Sequence, residues 1–99
     1  MKVSLKVIKY YIDGIKDELK GALEYAEKYV CYKKENPSWA KMYADMANAE
    51  LMHASYLQTM GDEHISDLSW VPQDDRDAWN SCLRCAAEKM GMVKLMLSK

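Results

Sequence analysis

The chain has 99 residues, enough for one domain with a modest core, and 49% of them are hydrophobic. Its 14 Lys and Arg nearly balance its 15 Asp and Glu, giving a formal charge of −1 with no basic run, so nothing in it points to nucleic acid. No stretch approaches the roughly 18 apolar residues of a membrane span, Lys2, Lys6 and Lys9 break up what could have been a signal peptide, and three Cys cannot make a complete intrachain disulfide set, which fits a reducing cytoplasm.

The first element is predicted over residues 4–34. Leu5, Ile8, Ile12, Ile15, Leu19, Ala22, Ala26 and Tyr29 recur by threes and fours, the spacing of one helical face. From Lys2 to Ile8 the residues Val3, Leu5 and Val7 also alternate like a strand, but a lone strand would have no partner, so the reading is helix. Gly14 and Gly21 fall inside it, each at a cost of about 1 kcal/mol relative to Ala, and close packing is the expected reason. At about 100° per residue, Glu18 lies near the face of Tyr11, Ile15, Ala22, Tyr25 and Tyr29, while Glu24 and Glu27 point to solvent.

Asn36-Pro37 reads as an N-cap followed by proline at the first helical position. The second helix is predicted over 37–60, with Gly61 as its stop and His64 in an exposed loop beyond it. Trp39, Tyr43, Met46, Leu57 and Met60 form its apolar stripe, and continuing their 4-3 alternation through the gap lands on Glu50 and His53. A carboxylate on a core seam needs a partner or a metal. The plain alternatives are that Glu50 and His53 pair with each other, or that the stripe leaves the core at mid-helix.

The third helix is predicted over 72–97, opened by Pro72 with Asp74 and Asp75 near the positive end of the helix dipole. Its stripe is Trp79, Leu83, Ala86, Met90, Val93 and Leu97. Cys82-Leu83-Arg84-Cys85 is a lone CxxC at mid-helix, where a redox pair lacks the help of a helix N-terminus, and no second pair completes a zinc site; it reads, like Cys31, as small side chains near a packed face. Trp70 and Trp79 are candidates for exposure. Tyr10, Tyr11, Tyr25, Tyr29 and Tyr32 suggest an aromatic ladder in a core or at a dimer contact. There is no phosphate-binding loop and no nucleophile–base pair.

The expected fold is therefore all-α: a long antiparallel helical hairpin turning near residues 33–37, plus a third helix. In that hairpin Glu18 and Glu50 lie about equally far from the turn, so Glu18, Glu50 and His53 can converge. Two carboxylates and one imidazole suit Fe, Mn or Zn.

With these residues the sequence resembles the ferritin-like superfamily, in particular rubrerythrin-type and small phage-encoded ferritin-like proteins, over residues 10–60. The family's first helix carries a ligand Glu, a small residue three on and often an aromatic seven on; Glu18, Gly21 and Tyr25 match. Its next helix carries Glu-x-x-His, often after small or amide residues; Ala47-Asn48-Ala49-Glu50-Leu51-Met52-His53 matches. A full ferritin-like bundle has four helices and a second Glu and Glu-x-x-His, which this chain lacks: Glu88 faces away from the third helix's stripe, and Asp74, Asp75 and Asp77 read as dipole partners. One chain thus offers half a site.

The resemblance implies a homodimer or higher homo-oligomer that completes a four-helix bundle, as in the encapsulin-associated half-ferritins. It implies a di-iron carboxylate centre with Glu18, Glu50 and His53 as ligands, and with Tyr25 either a hydrogen-bond donor behind them or plain core. Iron oxidation by dioxygen or peroxide would follow, making the protein a possible ferroxidase; Mn or Zn are the other metals. The last residues, Val93 to Lys99, show no separate encapsulin-addressing tail, so encapsulation is not expected. The reading from another class is a non-catalytic helical interaction or structural protein of phage type that keeps the scaffold.

Overall fold

The computed structural model describes residues 3–99 and consists of α1 (Val3–Tyr32), α2 (Pro37–Ser66) and α3 (Gln73–Leu97). Among the described residues there is no strand, and no helix is long and apolar enough to cross a membrane. Lys2, one end of the strand-like alternation, lies outside the described residues; from Val3 on that segment is helix.

The turn at the top of the hairpin forms as its residues dictate. The Asn36 side chain accepts from the Trp39 backbone N–H at 3.2 Å, and Pro37 occupies the first turn, where its missing N–H costs nothing. α1 and α2 then run antiparallel along a body 53 Å long and under 20 Å thick. α3 returns parallel to α1 and packs mainly on it. Buried Ser4 donates to Asp75 at one end, and Lys33 donates to the Lys99 carbonyl at the other.

The core is a single line of side chains: Ile8, Tyr11, Ile15, Leu19, Ala22 and Ala26 from α1 meet Ala47, Leu51, Ala54 and Ile65 from α2 and Trp79, Cys82, Ala86 and Val93 from α3. Ile8, Ile15 and Val93 are essentially inaccessible, each contributing roughly 1.5–3 kcal/mol of apolar burial.

The buried face of α2 differs from the expected stripe. It consists of Ala40, Ala47, Leu51, Ala54, Gly61 and Ile65, whereas Trp39 and Met60 are 49% and 51% exposed. Alanines at positions 40, 47 and 54 let α1 approach closely, so the large side chains are displaced to the flank. Glu50 and His53 therefore stand beside the seam rather than in it.

Gly61 does not stop α2, which continues to Ser66. A Cβ there would lie 2.5 Å from Trp79 Cη2 and 3.2 Å from Tyr11 Cγ, so the glycine serves a close approach of rings. Trp79, expected among the exposed tryptophans, is buried over Gly61 and donates from its indole N–H to Asp62 Oδ1 at 2.7 Å. His64 is exposed as expected but sits on the helix, its Nδ1 3.2 Å from the Tyr11 hydroxyl. Cys31, placed near a packed face by the sequence, is exposed.

Candidate metal centre

Glu18 flanks the buried line of α1, and Glu50 flanks that of α2, so both point into the edge of the groove between the two helices. One turn on from Glu50, His53 reaches back over the pair. Its Nδ1 lies 3.4 Å from Glu18 Oε2 and 3.9 Å from Glu50 Oε1. One ligand atom from each of the three falls within 4.8 Å of the others, and among the described residues this is the one such group of three or more His, Cys, Asp or Glu. The Glu18 and Glu50 side chains are mostly buried, while that of His53 is 51% exposed, which leaves the group open to solvent on one side.

Gly21 is what gives Glu50 its place. A Cβ at residue 21 would lie 2.8 Å from Glu50 Oε2. The glycine's helix-propensity cost thus buys room for a carboxylate rather than for an apolar contact. Gly14 does the ordinary job two turns earlier, where a Cβ would meet Leu57 Cδ1 at 3.1 Å.

The electrostatics are those of a site short of positive charge. No Lys or Arg pairs with Glu18 or Glu50 among the described residues. A hydrogen bond with the Glu18 carboxyl holds the Glu50 pKa above the usual range, helped by burial and by the Glu18 charge, with only His53 pulling the other way. A cation bound between the two carboxylates would relieve that repulsion. Among the described residues His53 is the one ion-pair partner of either carboxylate, and two carboxylates with one imidazole are also donors that could hold a divalent transition metal.

The structure thus brings together all three residues that the sequence nominated. Tyr25 is not joined to them by a hydrogen bond. Its ring stacks on Tyr43 at 6.3 Å, Tyr43 stacks on Tyr32 at 5.8 Å, and Tyr32 meets Trp39 edge-on at 5.5 Å. Of the expected ladder, Tyr25 and Tyr32 are joined only through Tyr43 of α2, Tyr10 and Tyr11 form a separate edge-on pair, and Tyr29 lies under the Lys33 ammonium instead. Glu88 is exposed, and among the described residues no side chain of α3 joins the group. Gly21 also stands about 180° round α1 from Ile12, which faces α3. The group therefore opens on the side of the hairpin that α3 leaves uncovered.

Sequence reasoning missed the bonds from Tyr11 to His64 and from Trp79 to Asp62. Neither has a local signal, because each joins residues 17 or more apart. Compared with known proteins, the chain matches no family model, no curated protein and no solved structure.

Proposed function

We propose that this chain is a ferritin-like metal-binding protein in which two copies join their uncovered hairpin faces to build one di-iron carboxylate centre. The observation that carries the reading is the convergence of Glu18, Glu50 and His53 beside a glycine that clears space for a carboxylate. Paired about a two-fold axis, two copies supply four carboxylates and two imidazoles, and four negative charges offset two divalent cations. Glu18, Glu50 and His53 of each copy would hold the metals. The donor set suits iron, the metal the ferritin-like resemblance implies, and would also take Mn or Zn.

The dimer is supported by the surface beside the group. Trp39, Met42, Met46 and Met60 are exposed along that flank of α2, an apolar strip of the kind that marks a contact surface. Iron held there would supply oxidation of Fe(II) by dioxygen or peroxide. The chain's own part would be to hold the cations through Glu18, Glu50 and His53.

Protein produced with iron and assayed for metal per chain tests the reading. About one metal per chain is expected in the wild type and none in Glu50→Ala. The same strip would also serve a purely structural, phage-type interaction protein. That second reading takes over if the protein dimerises with no metal and Glu50→Ala leaves the dimer unchanged.

A further inference from the structure

On the other side of the molecule, α1 and α3 are separated by an open cavity of about 310 Å³. Its floor is apolar: Ile12, Ile15 and Leu19 come from α1, and Ala78 and Ala86 from α3. It exists because α3 presents small residues there, with Ser81, Cys82 and Cys85 completing its wall where larger side chains would have filled the space.

Its charges are one-sided. Lys16 and Lys89 both line the cavity, no acidic residue does, and neither lysine has an ion-pair partner among the described residues. Cys82 is 8% exposed and lines the same wall, and its thiol has no hydrogen-bond partner among the described residues. Burial pushes the Cys82 thiol pKa up, and the charges of Lys16 and Lys89, which line the same cavity, partly offset this while Cys85 adds to it.

We infer that this cavity is a binding site for a small amphipathic anion, an alkyl chain ended by a carboxylate, whose tail lies on Ile12, Ile15 and Leu19 and whose head meets Lys16 and Lys89. An apolar trough with a few convergent polar groups is the usual form of a small-molecule site. The lining from Ala78 to Lys89 spans about 16 Å of helix, the scale of a fatty acid with about ten to twelve carbons. The site shares no residue with Glu18, Glu50 and His53, so it does not depend on metal binding.

Dodecanoate is the probe, with dodecanol as its uncharged counterpart, read by calorimetry and by iodoacetamide labelling of Cys85 in a Cys31→Ser background. Dodecanoate is expected to bind once per chain and to slow Cys85 labelling about tenfold, with dodecanol weaker. Lys16→Gln with Lys89→Gln should cut dodecanoate affinity about tenfold or more. Ser81→Leu, which fills the trough from its exposed rim, should abolish binding while leaving the helical circular dichroism intact. The inference is overturned if dodecanoate fails to saturate below its micellar concentration, or if the double lysine variant binds it equally well. It is also overturned if anionic phospholipid vesicles, rather than free dodecanoate, are what the two lysines bind.

Discussion

Replacing Gly21 with Ala should stabilise the metal-free protein and weaken its metal binding at the same time. Mid-helix Gly→Ala gains about 0.5–1 kcal/mol from propensity. Gly91, with nothing within 4 Å of its absent Cβ, isolates that gain, so Gly91→Ala is the control. At Gly21 the new Cβ would lie 2.8 Å from Glu50 Oε2. Non-bonded heavy atoms settle near 3.5 Å or beyond, so the carboxylate must retreat by about 0.7 Å. It sits at the free end of a flexible side chain, so that retreat costs the fold little. Metal ligation, however, tolerates only about 0.2 Å, and disturbing the support of a ligand typically costs 10–100-fold in affinity. By linkage this removes about 1.4–2.7 kcal/mol of metal-induced stability, or roughly 6–20 °C of Tm for a domain of this size at 4–8 °C per kcal/mol. Thermal unfolding with EDTA, with Zn(II) and with anaerobic Fe(II) measures both effects. Gly21→Ala should match Gly91→Ala in EDTA and fall well short of it in metal. Equal metal-induced shifts in the two variants would refute the assignment of Gly21 as the residue that makes room for Glu50.

Gly61→Ala should destabilise, because its Cβ would enter the Trp79 ring and the ring cannot retreat from the core; a loss of about 1–3 kcal/mol in denaturant unfolding is expected. Trp79→Phe keeps most of the packing but strands the Asp62 contact, and should cost about 1 kcal/mol in the same assay. Glu50→Gln should raise the Tm of EDTA-treated protein at neutral pH, since an amide can donate to Glu18 without adding charge. Because Glu50's pKa is raised on folding, its effect on wild-type stability is most favourable below the unfolded value of 4.5 and declines as pH rises through the folded value. The Tm advantage of Glu50→Gln should therefore grow from pH 4 to pH 7, and a constant difference would contradict a raised Glu50 pKa.

The helices were legible because threes-and-fours spacing is dense and the Asn36-Pro37 cap is unambiguous. The core face of α2 was not, because Ala40, Ala47 and Ala54 carry little hydrophobic weight, while Trp39, Met46 and Met60 carry much and lie on the flank. Gly61 read as a stop because a sequence cannot show that the Trp79 ring, 18 residues on, fills the space. The ligand group was legible even though its seam position was misjudged. Counting outward from the hairpin turn puts Glu18 and Glu50 at one level whichever residues are buried. Nothing in the sequence said which side of the hairpin α3 would cover, since that depends on how its small residues meet Ile12, Ile15 and Leu19.

Native mass spectrometry of protein loaded anaerobically with Fe(II) tests the central claim most directly, because it reads subunit and metal number in one particle. A dimer carrying two irons is expected, with the irons lost in Glu18→Ala, Glu50→Ala and His53→Ala. A metal-free monomer, or iron that persists unchanged in Glu50→Ala, would contradict it.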